Sequence, residues 1–101
     1  MRKEQDMYAI TPEETWLVYM LECSDGSFYT GITNHLERRL LQHNSGRASR
    51  YTRSRLPVKV IYQEICINRA QALSREMTIK SLTRTNKQQL IEMNKQGSPS
   101  L

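Results

Sequence analysis

One carboxylate in the second half of the sequence occupies a position where a charged group is unusual. A helix that follows Asn68 collects five apolar side chains on one arc at about 100° per residue, namely Ala70, Ala72, Leu73, Met77 and Ile79. Glu76 and Lys80 fall inside the same arc. Because desolvating an unpaired carboxylate is very costly, Glu76 must be paired or must coordinate a metal ion. Glu76 is therefore a candidate ligand for a divalent cation, and the alternative is an ion pair with Lys80 at i,i+4.

An earlier predicted helix carries an arginine and a histidine at the same i,i+4 spacing. Its apolar side is formed by Leu36, Leu40 and Leu41. Arg39 and His43 border that side, with Arg38 and Gln42 pointing farther out. An arginine at such a border can bind phosphate oxygens in a bidentate manner, and a histidine can donate or accept a proton. Each is an ordinary surface residue when taken alone, so their chemistry matters only if other groups converge on them.

Two tyrosines, Tyr19 and Tyr29, lie on the two strands of a predicted hairpin. A phenol has a pKa near 10, so it can deprotonate water only where a basic neighbour or a metal favours the phenolate. We expect Arg39, His43 and Lys80 to act in that direction. The tyrosines are otherwise ordinary strand residues.

The length of the hairpin loop decides whether the tyrosines share a face of the sheet. A two-residue turn at Asp25 and Gly26 would place them on opposite faces, because side chains alternate along a strand. A three-residue loop at 24–26 pairs Tyr29 with Leu21 and places both phenols on one face. Since Gly26 adopts a left-handed conformation without steric cost, we predict the three-residue loop.

Positive charge is concentrated in one part of the chain. Beyond residue 15 there are 13 basic and 6 acidic residues, a net charge of +7, and no Asp or Glu occurs between Arg38 and Lys59. Such a stretch binds a polyanion by releasing condensed counterions, although it is also compatible with a solvated basic face. The candidate phosphate-binding residues are Arg38, Arg47, Arg50, Arg53, Arg55, Lys80 and Lys87.

The elements that must position these groups follow the order ββαβαα. Strands are predicted at 16–21, 27–33 and 57–65, and helices at 35–44, 68–82 and 85–93. Thr33 or Asn34 is expected to cap the first helix, Gly46 to end it, and Asn68 to cap the second. Residues 45–56 are predicted to form a polar, arginine-rich loop.

The chain has room for one domain, which we place at 15–94. Residues 1–14 are predicted to be a flexible extension and residues 95–101 a disordered tail. The longest apolar run, 16–21, is far shorter than the roughly 20 residues that span a bilayer, so no membrane association is expected. The N-terminus has no apolar segment typical of a signal peptide, and Cys23 and Cys66 show neither a metal-binding nor a disulfide pattern. These features predict a cytoplasmic protein with reduced, structural cysteines.

The order of these residues resembles that of the GIY-YIG nuclease superfamily, most of all its small stand-alone bacterial-type members. The matching motifs are Leu17-Val18-Tyr19 and Tyr29-Thr30-Gly31, followed by Arg39, His43 and Glu76. The resemblance extends from residue 16 to about residue 92. The first motif departs from Gly-Ile-Tyr in its first two residues, and Thr30 replaces an isoleucine in the second.

The resemblance implies an α/β (α+β) fold, with a three-stranded antiparallel sheet flanked by helices. It also implies hydrolysis of phosphodiester bonds in DNA with one divalent cation, Mg²⁺ or Mn²⁺. Tyr19, Tyr29, Arg39 and His43 match the catalytic residues, and Glu76 matches the metal ligand. Asn86 is a candidate for a further polar residue that many nucleases of this type carry beyond the glutamate.

The resulting hypothesis is an endonuclease selective for DNA structure rather than sequence. Glu76 holds the metal, Arg39 holds the scissile phosphate, His43 assists proton transfer, and Tyr29, preferred over Tyr19, activates water. RNA is not excluded as a substrate, and a protein partner could deliver the enzyme to it. The alternatives are a nucleic-acid-binding module that keeps this fold but does not cut, and a basic interaction protein without enzymatic activity.

Overall fold

The structure, a computed structural model, describes residues 15–97. Its elements are β1 (Trp16–Glu22), β2 (Phe28–Thr33), α1 (Leu36–Asn44), α2 (Arg50–Arg53), β3 (Lys59–Cys66), α3 (Arg69–Lys80) and α4 (Arg84–Gly97). The strands form an antiparallel sheet in the order β2-β1-β3. The predicted fold class and element order are confirmed, with α2 as an additional single turn.

The central strand β1 is apolar because both of its faces are covered. Val18 and Met20 point to one face, where they pack with Ala72 and Ile79 of α3. Tyr19, on the other face, packs within a second cluster that contains α1 residues and the segment leading into β3. A continuous apolar run is the pattern expected of a strand buried on both sides.

The hairpin has the predicted three-residue loop and register. Leu21 pairs with Tyr29, and the loop closes through a hydrogen bond from the Cys23 amide to the Ser27 carbonyl at 2.9 Å. Gly26 adopts a φ of +84°, the left-handed conformation that glycine accepts without a Cβ clash. Tyr19 and Tyr29 therefore lie on the same face of the sheet.

Helix α1 begins one residue later than predicted, and His35 caps it. The His35 Nδ1 atom accepts a hydrogen bond from the Arg38 amide at 3.2 Å. The predicted cap at Thr33 or Asn34 is wrong, because the Thr33 hydroxyl accepts from the His35 amide instead. The prediction that Leu41 faces the core is also wrong, since Leu41 is exposed.

The segment predicted as an arginine-rich loop contains the helical turn α2. Ser49 caps this turn by accepting hydrogen bonds from the Tyr51 and Thr52 amides at 3.0 and 3.4 Å. Thr52 is fully buried. A four-residue helix has too few residues for a periodic apolar pattern, which is why the sequence did not reveal it.

Helix α3 has the predicted N-cap, since the Asn68 side chain accepts from the Gln71 amide. It packs on the sheet along a narrower stripe than predicted. Ala72 and Ile79 are buried, whereas Ala70 and Met77 are exposed, contrary to the predicted arc. Glu76 lies between Ala72 and Ile79 on the packed face.

Helix α4 is longer than predicted and ends at Gly97. The predicted extension at 1–14 and most of the predicted tail lie outside the described residues. Cys23 and Cys66 are buried free thiols, as expected of structural cysteines in this chain. Within residues 15–97, no helix is both long enough and apolar enough to cross a membrane.

Candidate active site

The two tyrosines meet above a glycine. Their ring centroids are 6.4 Å apart, and Gly31 lies beneath both rings. A Cβ atom on Gly31 would lie 2.8 Å from Tyr19 Oη and 3.1 Å from a ring carbon of Tyr29. Tyr19 is only 1% exposed, whereas Tyr29 is half-buried at the rim. Glycine at this position therefore allows the phenol of Tyr19 to lie across β2.

A hydrogen-bond chain runs from Tyr19 into the protein interior. The Tyr19 hydroxyl lies 2.9 Å from His43 Nε2, and His43 Nδ1 lies 2.9 Å from the Thr52 hydroxyl. His43 is fully buried, so its predicted place at the border of the helix is wrong. Its ring also contacts Tyr29 edge-on at a centroid distance of 5.1 Å. Thr52 is a site residue to which the sequence analysis gave no role.

Arg39 is held at the edge of this cluster. Its Nη1 atom donates to Gln42 Oε1 at 3.0 Å, and its positive charge acts to lower the pKa of Tyr19. Gln42 was predicted to point away from the site, but it is half-buried and orients the arginine. Arg38, Arg39 and Gln42 line a cleft of about 260 Å³ beside α1.

Burial controls the proton affinities at the site. It raises the pKa of Tyr19 to about 12, and the charges of Tyr29 and Glu76 add to that rise, while Arg39 lowers it. Arg39 thus acts in the predicted direction, but burial outweighs it, so the Tyr19 phenolate is not favoured. Burial, assisted by the charge of Arg39, lowers the pKa of His43 to about 4. At neutral pH, Tyr19 is thus a neutral phenol and His43 a neutral imidazole.

Glu76 forms an ion pair with a lysine on its own helix. Its carboxylate lies 3.1 Å from Lys80 Nζ, so the predicted i,i+4 ion pair is present. Its side chain is 17% exposed against 55% for Lys80, and its charge also acts on the hydroxyl of Tyr19. The pair therefore consists of a largely buried carboxylate and a lysine that extends into solvent.

The donor atoms near Glu76 suit only one kind of metal site. Among residues 15–97 there is no group of three or more His, Cys, Asp or Glu side chains that could enclose a metal ion. A single carboxylate fits Mg²⁺ or Mn²⁺, because such ions retain water and take phosphate oxygens as ligands. Any cation at Glu76 would thus depend on the substrate for much of its coordination.

Comparison with known proteins identifies the family. A family model described as the GIY-YIG catalytic domain matches residues 15–89. The chain belongs to the GIY-YIG family. This GIY-YIG domain is 44% identical over 88 residues to a UPF0213 protein of Desulfotalea psychrophila, covering 86% of this chain and 80% of the relative. It is 54% identical over 74 residues to a UPF0213 protein of Clostridium perfringens, covering 73% of this chain and 80% of the relative.

Two solved structures share the fold. The solution NMR structure of a UPF0213 protein from Bacillus halodurans superposes with a TM-score of 0.52 at 38% identity. A solution NMR structure of a protein from E. faecalis gives a TM-score of 0.56 at 42% identity. Each comparison covers 78% of this chain and 84% of the other. The predicted GIY-YIG fold is confirmed.

Two of the three departures from the GIY-YIG motif lie away from the phenols. Val18 faces the core on the side of the sheet opposite Tyr19. Thr30 is buried next to Tyr29 in sequence and therefore points to the opposite face. The third, Leu17, lies two residues before Tyr19 and is half-buried on the same face of the sheet.

The basic residues of the GIY-YIG domain differ in their exposure to solvent and in whether they form ion pairs. Arg38, Arg47, Arg50 and Arg53 are exposed, and Lys87 is half-buried on α4. Two further basic residues form ion pairs with acidic residues that are distant in sequence. Arg55 pairs with Asp25 at 3.1 Å, and Lys59 pairs with Glu22 at 3.6 Å. The guanidinium of Arg55 also lies 3.8 Å from the ring centroid of Tyr51, which stacks on Tyr29. Asn86 is exposed on the first turn of α4.

Proposed function

We propose that this GIY-YIG protein is an endonuclease that hydrolyses phosphodiester bonds in DNA with one Mg²⁺ or Mn²⁺ ion. The observation that carries the proposal is the convergence of Tyr19 and Tyr29 over Gly31, with His43 against both rings and the charge of Arg39 acting on Tyr19. This cluster combines a phosphate-binding cation with groups that can hold or move a proton. Those are the two requirements for attack of water on phosphorus.

Arg39 is assigned to the scissile phosphate. It is fixed on one side by Gln42 and lines an open cleft, so its remaining N–H groups can donate to phosphate oxygens. Its fixed position reduces the side-chain entropy that would be lost on binding substrate. The negative charge that develops on the phosphate in the transition state is stabilised by this guanidinium.

Tyr29 is assigned to the attacking water. Tyr19 is almost completely buried, with a pKa raised to about 12, so it remains a phenol. Tyr29 is half-buried at the rim, where a water molecule and a phosphate can reach its hydroxyl. The Tyr29 oxygen orients the water by accepting a hydrogen bond from it or, as a phenolate, takes its proton. The water oxygen bonds to phosphorus as the bond to the leaving oxygen breaks; the water proton passes to Tyr29 or to solvent, and the leaving oxygen takes a proton from solvent.

Glu76 is assigned to the metal ion. Its carboxylate is the candidate ligand, and Lys80 can move into solvent when a cation takes its place. A divalent cation held there would stabilise charge on the non-bridging and leaving oxygens of the phosphate. In the absence of substrate, Lys80 neutralises the carboxylate.

His43 is assigned a supporting part in the proton chemistry. Because it is neutral at pH 7 and fully buried, it hydrogen-bonds to Tyr19 and packs against Tyr29. We propose that it holds both phenols in place rather than exchanging protons with solvent. His43 was predicted to assist proton transfer, and this assignment gives it a positioning role instead.

The substrate is expected to be selected by shape. Exposed arginines on α1, α2 and the segment between them are suited to phosphate contacts, which position a protein without reading sequence. DNA is the proposed substrate, and RNA is to be tested alongside it. A protein partner could direct the enzyme to its cleavage site. The proposed location is the cytoplasm, in keeping with the two buried free thiols.

A non-catalytic nucleic-acid-binding module is the second candidate. The Glu76–Lys80 ion pair favours it, since that pair already neutralises the proposed metal ligand. A binding module would retain DNA equally well with and without a divalent cation.

A cleavage panel separates the two candidates. The protein is incubated with end-labelled duplex, branched, nicked and single-stranded DNA, and with RNA, in Mg²⁺, Mn²⁺ or EDTA. The nuclease proposal predicts products with Mg²⁺ or Mn²⁺ and none in EDTA. Metal-independent retention of every substrate without products would favour the binding module.

A further inference from the structure

We propose that Thr52 is a positioning residue that fixes the direction of a buried hydrogen-bond chain and thereby the orientation of the Tyr19 hydroxyl. The effect on cleavage rests on the proposed function, whereas the direction of the chain does not. Thr52 belongs to α2, the turn that carries the exposed arginines Arg50 and Arg53.

The chain links three side chains and one backbone carbonyl. Tyr19 Oη lies 2.9 Å from His43 Nε2. His43 Nδ1 lies 2.9 Å from Thr52 Oγ1, which lies 3.4 Å from the Ser49 carbonyl oxygen. Tyr19, His43 and Thr52 are each at most 1% exposed, so water does not compete within the chain.

The carbonyl end of the chain determines its direction. A carbonyl oxygen can only accept hydrogen bonds, whereas tyrosine, histidine and threonine side chains can donate or accept them. The arrangement that satisfies the Ser49 carbonyl runs from Tyr19 to His43 Nε2, from His43 Nδ1–H to Thr52, and from Thr52 to Ser49. His43 is therefore protonated on Nδ1 and unprotonated on Nε2.

The opposite direction is costly. If His43 donated from Nε2, the Tyr19 oxygen would accept from His43, and its own hydrogen would point away from the ring. In a residue that is 1% exposed, that hydrogen would also lack water as an acceptor. A buried donor left without an acceptor costs about 1–3 kcal/mol. The direction through Thr52 avoids this loss.

The consequence for the site follows from the oxygen of Tyr19. With its hydrogen directed to His43, that oxygen presents its lone pairs to the rest of the cluster, where the charge of Arg39 acts on it. Loss of the Thr52 hydroxyl would release this orientation, although Thr52 itself is not assigned a contact with the phosphate.

The tautomer of His43 can be measured directly. Nitrogen-15 NMR distinguishes protonated from unprotonated imidazole nitrogens, and the chain has two histidines, His35 and His43. The variant His35→Asn assigns the spectrum, because asparagine is also a good helix N-cap. We expect the wild-type protein to show an unprotonated Nε2 on His43. A protonated Nε2 in the neutral ring would overturn the proposal without any variant.

A matched pair of variants tests the part played by Thr52. Thr52→Val removes the hydroxyl at nearly constant shape, and Thr52→Ser retains it. Because His43 Nδ1–H loses its acceptor in Thr52→Val, we expect the Nδ1-protonated ring to stop being the single form, with a signal from protonated Nε2 appearing beside it, and kcat to fall about tenfold with unchanged DNA affinity. Thr52→Ser should keep the wild-type tautomer and activity.

Other outcomes separate this inference from the proposed function. An unchanged tautomer in Thr52→Val, or a Thr52→Ser protein with the altered tautomer, would refute the role of Thr52. If Thr52→Val does not fold, the wild-type and Thr52→Ser spectra still decide the question. If the wild-type protein cleaves nothing, the proposed function fails, but the NMR result still decides the direction of the chain.

Discussion

Gly31 lies directly opposite Tyr19 across the β1–β2 ladder, and the phenol of Tyr19 covers it. This relationship explains why the residue two positions after Tyr29 is a glycine. Any larger residue would meet both phenols, since an added Cβ would lie 2.8 Å from Tyr19 Oη. The glycine thus sets the position of the buried tyrosine and, through it, that of His43 and Arg39.

We predict that Gly31→Ala destabilises the protein by about 1–3 kcal/mol, the usual cost of overpacking. It should also lower cleavage more than this destabilisation accounts for, because both tyrosines must shift. Urea unfolding and cleavage assays on the folded variant measure the two effects. Thr30→Ala is the control, since it alters the opposite face of the same strand. Wild-type stability and activity in Gly31→Ala would disprove the close packing.

The two tyrosines are expected to differ in their contribution to rate. Tyr29→Phe should lower kcat by about a hundredfold or more, the range for loss of general acid–base catalysis, with unchanged DNA affinity. Tyr19→Phe should lower it less, because Tyr19 acts through Arg39 and His43. Tyr62→Phe is the control, since Tyr62 bonds Glu64 on the other face of the sheet. If Tyr29→Phe cleaves at the wild-type rate, another group activates the water.

The arginines of the segment around α2 should divide into two classes. Arg50→Ala and Arg53→Ala should weaken DNA binding uniformly across sequences and reduce the salt slope by up to about one unit per lost phosphate contact. Arg55→Ala should change that slope less, because Arg55 is already paired with Asp25. Fluorescence anisotropy at several salt concentrations measures the slopes, with Lys95→Ala on α4 as the control. Equal slopes in the wild-type protein and Arg50→Ala/Arg53→Ala would place the nucleic acid elsewhere.

The hairpin shows what the sequence could predict. The register of β1 and β2 followed from the alternation of side chains and from Gly26, and the structure confirms it. The family motif fixed which residues meet at the site. Local rules sufficed here because a three-residue loop leaves little freedom for the pairing of its strands.

Burial was harder to predict than pairing. Leu41 and Met77 are exposed, whereas His43 is fully buried, because the orientation of each helix depends on what it packs against. Thr52 had no visible signal, since its role depends on contact with a residue nine positions earlier in the chain. Likewise, Asp25 and Arg55 are 30 residues apart, so their ion pair could be seen only in the structure.

The burial of His43 predicts a pH-dependent stability. Its pKa is lowered from 6.5 to about 4, so between these values the unfolded chain binds more protons than the folded one. The contribution of His43 to stability is therefore complete above pH 6.5 and decreases as the pH falls towards 4. The loss should amount to at most about 3 kcal/mol.

Urea unfolding at pH 7.5, 6 and 4.5 tests this prediction, with His43→Gln as the comparison, because acidic residues also titrate in acid. The difference in unfolding free energy between the wild-type protein and His43→Gln should shrink as the pH falls. A difference that is constant with pH would mean that His43 titrates normally.

The most direct test of the nuclease account compares the wild-type protein with Glu76→Gln on the same labelled DNA. Cleavage products are measured in Mg²⁺, Mn²⁺ and EDTA, and DNA affinity is measured alongside. Glu92→Gln is the matched control, since Glu92 forms an exposed helical ion pair with Lys95 on α4. We predict metal-dependent cleavage by the wild-type protein and Glu92→Gln, and none by Glu76→Gln at nearly unchanged affinity. Full cleavage by Glu76→Gln, or retention of DNA without cleavage by the wild-type protein, would contradict the account.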